Sequence, residues 1–296
     1  MLLLLTSSQD GTSDLLLERL GNRAFRFNYD IFSDYALTFR PDFWEIKNPN
    51  GHSISSKTVK VAFWWKAFNF FIMNQESLIV EEVKYIFREI YNNCERKNLV
   101  KGNRPDYHNY MGKMNILAVA SRHFKVPKTL VTFGLSGVEI FNGTQVVAKS
   151  LSSGTTATNE VLFTTQVSIS NLSPSSPWFL QDLISSDADV TIFICGKSLF
   201  SFSRDRGDLE GLDWRKTINT SSNKEWEWFP LSDSDKVATY NFCAELGVDW
   251  GRIDLMSTPD GLIFLEFNAN GQWVFLDYTG KYGLVDTVVE YLTPAS

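Results

Sequence analysis

Apolar runs separated by polar turns predict several short strands in the first part of the chain. Leu2 to Leu5 is an apolar run, and a polar turn and an amphipathic segment from Asp14 to Leu20 follow it. Ala24 to Phe27 and Val59 to Trp65 are further apolar runs with the length of buried strands. Because the amphipathic segment ends at Gly21, a common helix terminator, the order strand, helix, strand predicts a βαβ unit.

Apolar residues at helical spacing predict two helices after these strands. Between Ser77 and Cys94 they fall on one helical face, with charged residues between them. Tyr110 to Phe124 is interpreted as a second helix around an apolar stripe. The polar segment between the two, Asn98 to Asp106, contains Gly102 and Pro105, so it predicts the end of an N-terminal domain.

A hairpin near the end of the chain carries the residues with the clearest chemistry. The apolar segments Trp250 to Met256 and Leu262 to Phe267 are joined by Ser-Thr-Pro-Asp-Gly, a strong turn signal. By the two-residue side-chain period of strands, Asp254 on the first strand and Glu266 and Asn268 on the second can converge. Two carboxylates and an amide oxygen form an all-oxygen site, which suits magnesium bound to nucleotide phosphates.

A simpler interpretation is that Asp254 and Glu266 are polar residues on a half-exposed hairpin. Both, however, are flanked by apolar residues, namely Ile253, Leu255, Leu265 and Phe267. A buried carboxylate needs a partner or a cation, and this favours the metal site.

The hairpin sequence resembles that of a known enzyme family. Its I-D-L, turn, L-E-x-N-x-N-G-Q-W pattern, within residues 247–273, resembles the ATP-grasp ligases, and the closing segment is similar to the microviridin or graspetide ligases that macrocyclise ribosomal peptides. The resemblance implies that Asp254, Glu266 and Asn268 hold the Mg²⁺ ions of ATP. It also implies an α+β ATP-grasp fold, with an N-terminal Rossmann-like pre-ATP-grasp domain (1–105), a central lobe (106–184) and a C-terminal lobe (185–296).

Two lysines are candidates for contacts with the phosphates of ATP. Lys149 lies near the end of an otherwise apolar strand, where a charge is unfavourable unless an anion meets it. The segment is similar to the V-V-x-K-P-L strand of the family, with Ser150 in place of proline, so Lys149 is expected to contact the α- and β-phosphates. Lys113, in a first helical turn, matches a second phosphate-binding lysine, although such a lysine is usually solvated.

The segment from Trp178 to Ile184 resembles the hinge of the family, where backbone groups meet adenine. The strand that follows is similar to a D-x-R-x-x-V-x-G pattern, but Thr191 stands where arginine is usual. The departure is compatible with weakened phosphate binding, with a different acceptor, or with compensation from Arg204 or Arg206. The resemblance thus assigns to the nucleotide site Gln181, Asp182, Leu183, Ile184 and Asp189.

Arg215, in Asp213-Trp214-Arg215, resembles the D-W-R of the macrocyclases and is a candidate to stabilise the transferred phosphoryl group. A surface arginine stacked on Trp214 is the alternative. At the other end of the chain, Arg26-Phe27-Asn28-Tyr29-Asp30 resembles the R-x-N-x-D of the family. The family's W-Y-R-R-P motif is replaced by residues 64–68, Trp-Trp-Lys-Ala-Phe, which lack the arginine pair.

Composition narrows the classes of function further. The chain has 296 residues, 44% of them hydrophobic, and a net charge of -6, so it can bury a full core but offers no basic footprint for nucleic acid. Met1 to Leu5 is too short for a signal peptide or a membrane span. The three cysteines show no metal-ligand spacing, which makes a reduced cytoplasmic setting the expectation.

The resemblance implies carboxylate activation, in which ATP converts a carboxyl group to an acyl phosphate and a nucleophile then displaces phosphate. The first hypothesis is a macrocyclase that joins Asp or Glu side chains of a precursor peptide, with leader and core, to Lys, Ser or Thr. The alternatives are a ligase that adds a free amino acid to a peptide or protein end, and an inactive nucleotide-binding partner that grips the leader. A homodimer is compatible with the family.

Overall fold

The described residues form four β-sheets with helices packed around them. The structure is a computed structural model, and it describes residues 1–68, 77–143, 145–151, 164–207, 212 and 225–293. The mixed α+β architecture predicted from the sequence is confirmed. None of the helices in these ranges combines the length and the apolar composition that a membrane crossing requires.

The N-terminal sheet is parallel and is covered by helices on both faces. The elements of this part of the chain are β1 (Leu2–Thr6), α1 (Gly11–Leu20), β2 (Ala24–Asn28), β3 (Ala36–Arg40), β4 (Phe43–Lys47), β5 (Ser53–Ser55), β6 (Val61–Trp64), α2 (Ser77–Glu95) and β7 (Val100–Lys101). The sheet has the order β2–β1–β6–β7, while β3, β4 and β5 form a small antiparallel sheet. The predicted βαβ unit is therefore confirmed.

Alternating residues of β1 contribute to two different cores. Leu3 and Leu5 pack in the core that contains Phe87 and Ile90 of α2. Leu2 and Leu4 pack in the core that contains α1 and a C-terminal helix described below. Because both faces of a parallel sheet are buried, the strand is an unbroken apolar run instead of an alternating one.

The central part of the chain contains two short helices and an antiparallel sheet. Its elements are α3 (Tyr107–Met111), α4 (Lys113–Ala120), β8 (Thr129–Thr132), β9 (Gln145–Lys149), β10 (Thr165–Ser168) and β11 (Trp178–Asp182), with the sheet order β10–β9–β11–β8. The prediction of one helix from Tyr110 to Phe124 is wrong. Gly112 has φ of 75°, outside helical geometry, so it ends α3 and lets α4 start in a new direction with Lys113 as its first residue.

The C-terminal part is a five-stranded antiparallel sheet packed against helices. Its elements are β12 (Ala188–Cys195), β13 (Ser198–Asp205), β14 (Glu227–Trp228), α5 (Asp233–Leu246), β15 (Trp250–Thr258), β16 (Gly261–Asn268) and α6 (Leu284–Leu292), and the sheet order is β14–β13–β12–β15–β16. The predicted hairpin is formed by β15 and β16. Ser232 caps the start of α5, because its hydroxyl accepts a hydrogen bond from Asp235 N at 3.1 Å, and Gly247 caps the end.

A cluster of aromatic side chains joins the N-terminal sheet to the C-terminal sheet. Trp250, at the start of β15, is fully buried and contacts Phe63 of β6 edge to face, with ring centroids 5.1 Å apart. On the other side it meets Phe193 of β12 at 5.0 Å. Trp65 and Trp273 belong to the same core. The start of the hairpin is thereby held against the carboxyl end of β6.

Candidate functional site

A cleft between the central and C-terminal sheets collects the residues that the sequence singles out. It is a cavity of about 770 Å³ bounded by α4, β9, β11, β15 and β16. The predicted site residues within the described ranges all line it: Lys113, Lys149, Gln181, Asp182, Leu183, Ile184, Asp189, Asp254, Glu266 and Asn268. Arg215 lies outside the described residues, as does the small-residue loop that follows Leu151.

The β15–β16 pairing places the two carboxylates side by side. Asp254 is directly opposite Glu266 in the ladder, and Arg252 is opposite Asn268. The next pair is Leu255 with Phe264, so Leu265 has no partner and forms a bulge. A bulge bends its strand and redirects neighbouring side chains. Glu266 consequently lies exposed in the cleft, while Phe264 and Phe267 on either side are buried.

Asp254 is held by several hydrogen-bond donors. Arg252 donates Nε to Oδ1 and Nη2 to Oδ2, both at 3.0 Å. Asn268 Nδ2 donates to Oδ2 at 2.6 Å. The Thr191 hydroxyl lies 3.0 Å from Oδ1 and 3.2 Å from the backbone oxygen of Ile253, so it donates to one of the two. These contacts give both oxygens of Asp254 a hydrogen-bond donor and fix the orientation of the side chain.

Glu266 faces the positive end of the cleft. The protein walls around the cleft desolvate its carboxyl and act to raise its pKa, but the charges of Lys149, Lys113 and Arg252 and a hydrogen bond from Asn268 outweigh that effect, so its pKa lies below the ordinary value. Asn268 Nδ2 is 3.1 Å from Glu266 Oε1. The carboxylate is therefore ionised at neutral pH, with two lysines across the cleft.

The lysines approach from two different elements. Lys149 ends β9, and Lys113 begins α4 immediately after the turn at Gly112. Lys113 Nζ donates to the backbone oxygen of Ser150 at 2.7 Å, which ties the helix to the end of β9. Burial lowers the pKa of Lys113, although Glu266 opposes this shift. The arrangement offers cations on one wall and carboxylates on the other.

The predicted hinge forms the inner wall of the cleft. Gln181 is 2% exposed on β11, and its Nε2 donates to Thr129 Oγ1 at 3.1 Å. Its Oε1 is buried without a hydrogen-bond partner among the described residues. Leu183 and Ile184 follow and are accessible from the cleft. An apolar wall with a few polar atoms that can fix orientation is typical of a small-molecule site.

Asp189 is engaged by an arginine from the neighbouring strand segment. Its Oδ1 accepts a hydrogen bond from Arg206 Nη1 at 2.5 Å, and both side chains are about nine-tenths buried. Burial raises its pKa, and Arg206 opposes that shift. Arg206 is thus committed to Asp189. Arg204 is buried as well, at 1% exposed, and its Nη1 donates to the backbone oxygen of Asp205 at 3.2 Å.

Two further cations near the site were not assigned from the sequence. Arg252 shares a strand face with Asp254, a spacing that the two-residue period already contained, but nothing in the sequence specified a fork between them. Lys66 follows β6, and its partners are distant along the chain: its charge interacts with that of Asp10 and that of Arg252. No local signal points to such long-range neighbours.

The donors on the hairpin fit a divalent cation that arrives with a nucleotide. The hydrogens of Asn268 Nδ2 reach both carboxylates, at 2.6 and 3.1 Å. A half-turn of the amide would put its oxygen at the same point, so that three oxygen donors face one position. Within the described residues no group of three acidic, histidine or cysteine side chains forms a complete metal site. Magnesium commonly uses one or two carboxylates and completes its shell with phosphate oxygens and water.

Lys66→Met is expected to stabilise the chain at neutral pH. Burial lowers the pKa of Lys66 from 10.5 to about 8, and Asp10 only partly opposes this. Below pH 8 Lys66 is charged in both states, but only the folded chain removes that charge from water, and this destabilises the fold. Between pH 8 and 10.5 the folded chain has lost a proton that the unfolded chain still holds, so the wild type gains stability as pH rises.

The difference between variant and wild type should therefore be roughly 1 to 3 kcal/mol at pH 7 and shrink towards pH 10.5. Urea unfolding of both chains at several pH values measures it. A difference that stays constant across this range would show that Lys66 does not titrate as described.

Comparisons with known proteins identify the fold. No family model matches the chain, and no curated protein matches it by sequence. The macrocyclase MdnC bound with precursor peptide MdnA from Microcystis aeruginosa MRC superimposes with a TM-score of 0.81 and 21% identity over 100% of both chains. The Chryseobacterium gregarium RiPP-associated ATP-grasp ligase, in complex with ADP and a leader and core peptide, gives 0.80 and 20% over 98% of this chain and 96% of that one.

A RimK domain ATP-grasp protein from Sphaerobacter thermophilus DSM 20745 is also similar, with a TM-score of 0.59 and 15% identity over 98% of each chain. Its TM-score is lower than those of the other two structures. The cleft with its lysines and carboxylates thus lies in a chain that has the ATP-grasp fold.

Proposed function

We propose that the chain is an ATP-dependent ligase that activates a carboxyl group as an acyl phosphate and passes it to an amine or a hydroxyl. One observation carries the proposal: Asp254, Glu266 and Asn268 share a cleft of about 770 Å³ with Lys113 and Lys149. An ATP-grasp fold that lines one cleft with a carboxylate wall and a lysine wall is suited to a nucleotide triphosphate and its metal.

Each wall has a distinct part in this proposal. Lys149 and Lys113 bind the phosphates, and their charges offset the negative charge that accumulates when a carboxylate approaches the triphosphate. Asp254, Glu266 and Asn268 hold Mg²⁺, which when bound screens the phosphates and orients the terminal one. Gln181, Asp182, Leu183 and Ile184 enclose adenine, and Asp189 closes that end through its ion pair with Arg206. Arg215 is proposed to contact the transferred phosphoryl group.

The domain organisation follows the same proposal. Residues 1–105 form a Rossmann-like pre-ATP-grasp domain, residues 106–184 the central lobe and residues 185–296 the C-terminal lobe. The parallel sheet β2–β1–β6–β7, with helices on both faces, supports the first assignment. The two antiparallel sheets on either side of the cleft support the other two.

The proposed substrate is a ribosomally made precursor peptide, in which the chain forms side-chain amide or ester macrocycles. Support comes from the two similar structures that hold a precursor peptide or a leader and core peptide. The activated group is an Asp or Glu side chain of the core, and the nucleophile is Lys, Ser or Thr in the same peptide. No covalent enzyme intermediate is needed, because the acyl phosphate itself is the activated species.

The test is a reaction of the purified chain with ATP, Mg²⁺ and the short peptides encoded beside its gene. Mass spectrometry is expected to show successive losses of water from one peptide, with matching release of ADP. Mass gains equal to an amino acid would instead indicate the ligase that extends a terminus. Nucleotide binding without any ADP release would support an inactive partner and contradict the proposal. Reactions with a non-hydrolysable ATP analogue provide the blank.

A further inference from the structure

Arg252 grips the Asp254 carboxylate at the centre of the proposed metal-ligand set. Its Nε and Nη2 donate to the two carboxylate oxygens, each at 3.0 Å, in the two-pronged geometry of a strong arginine–carboxylate pair. Its third nitrogen, Nη1, donates to the backbone oxygen of Gln272 at 2.8 Å. The Arg252 side chain is 12% exposed, which limits screening of the pair by water.

This grip uses the lone pairs that a cation would need. A carboxylate offers about four acceptor positions, and Arg252 takes two of them. Thr191 Oγ1 lies 3.0 Å from Oδ1 and Asn268 Nδ2 lies 2.6 Å from Oδ2, next to the remaining positions. A divalent ion on Asp254 would also be repelled by the guanidinium beside it. Arg252 and a metal ion therefore compete for Asp254.

Arg252 would remain at the cleft after leaving Asp254. The face of Phe275 lies 5.6 Å from its guanidinium carbon, and Gln272 holds its third nitrogen. The charge of Lys66 acts on the same region, as its interaction with Arg252 shows. Once Asp254 binds the metal ion, Arg252 and Lys66 lack its counter-charge and attract another anion. The freed N–H groups would therefore face an incoming carboxylate or phosphoryl group.

We propose that Arg252 is a resident counter-cation of the metal site, which holds Asp254 in the empty cleft and is displaced when a divalent ion loads. The displaced guanidinium then binds the carboxylate of the acceptor beside the terminal phosphate. This inference rests on the proposed function. It makes metal loading and acceptor binding two consequences of one side-chain movement, because the same fork cannot hold Asp254 and the acceptor together.

The test is the affinity of the full chain for Mn²⁺ without nucleotide, measured from the electron paramagnetic resonance signal of the free ion. Arg252→Met removes the competitor, so the Mn²⁺ dissociation constant is expected to fall about tenfold or more. Arg252→Lys keeps the charge but loses the fork, and it should fall between wild type and Arg252→Met. Lys47→Met is the control, because it removes an exposed charge on β4, outside the cleft, and should change the affinity by about twofold or less.

Weaker Mn²⁺ binding by Arg252→Met would overturn the proposal, since it would mean that Arg252 orients Asp254 for the metal instead of competing with it. An unchanged constant in both Arg252 variants would overturn it too. Calorimetry of ADP binding with Mg²⁺ separates the two levels. If the wild type binds Mg²⁺–ADP but the Arg252 variants leave Mn²⁺ affinity unaltered, only this inference fails. If the wild type binds neither Mn²⁺ nor Mg²⁺–ADP, the proposed function fails together with this inference.

Discussion

Glu266→Gln is expected to lower ATP-dependent product formation by about a thousandfold while the chain remains folded. The Glu266 carboxylate lies exposed in the cleft, opposite Asp254, and the lysines across the cleft keep its pKa below the ordinary value. An amide has the same shape but no charge, so the metal loses an anionic ligand and the lysines lose their counter-charge. Because glutamine keeps the oxygen that accepts the hydrogen bond from Asn268, stability should change little.

Two measurements check this expectation, namely ADP release in the presence of the peptide substrate and the thermal unfolding midpoint. Glu45→Gln is the matched control, because Glu45 is an exposed strand residue on β4, outside the cleft, and undergoes the same chemical change. The control should retain wild-type turnover. If Glu266→Gln kept turnover within a factor of about ten of the wild type, the carboxylate would not be a ligand of the reacting complex.

Much of the hairpin could be predicted from local sequence. Two apolar strands and a Pro-Asp-Gly turn determine its existence, and the two-residue period places Asp254 and Glu266 on one side. The bulge at Leu265 could not be predicted, because an extra residue in one strand has no signature in the alternation of that strand. It matters because Phe264 and Glu266 are two positions apart, yet Phe264 is buried in the core while Glu266 is exposed opposite Asp254.

The arginine–carboxylate pairs of the site could not be predicted, because their members are distant along the chain. In the sequence, Thr191 stands where arginine is usual, and Arg204 and Arg206 are the candidates to compensate. The structure instead shows Arg206 paired with Asp189 and Arg252 paired with Asp254. The register between β12, β13 and β15 determines which carboxylate each arginine can reach. Packing of the whole sheet sets that register.

The predicted boundaries of the second helix are wrong for a different reason. The prediction of one helix over residues 110–124 rests on an apolar stripe at Ile116, Leu117 and Val119. The backbone at Gly112 adopts a positive φ that only glycine takes up without strain, and the chain divides there into α3 and α4. The break has a consequence for the site, since Lys113 becomes the first residue of α4 and reaches the end of β9.

Trp250→Ala is expected to destabilise the chain by about 3 to 5 kcal/mol, a large share of the total stability of an ordinary domain. Trp250 is fully buried between the N-terminal and C-terminal sheets, stacked on Tyr291 at 5.5 Å and in edge-to-face contact with Phe63 and Phe193. Truncation would leave a cavity among rings from β6, β12 and α6 that cannot close without moving those elements.

Trp250→Phe separates the volume of the ring from its polar group. The indole Nε1 of Trp250 is buried and has no hydrogen-bond partner among the described residues, so phenylalanine removes an unsatisfied donor as well as part of the ring. The gain from the first effect offsets part of the loss from the second. Urea unfolding should therefore place Trp250→Phe within about 2 kcal/mol of the wild type and well above Trp250→Ala.

The same pair of variants tests whether this cluster positions the β15–β16 hairpin. Trp250 begins β15, and Arg252 and Asp254 follow it on the same strand. A cavity at Trp250 lets the strand shift, so Trp250→Ala should bind Mg²⁺–ADP more weakly even at temperatures where it is folded, while Trp250→Phe should bind it as the wild type does. If both variants bound the nucleotide equally well, the hairpin would be positioned by its own ladder with β12 and not by the aromatic core.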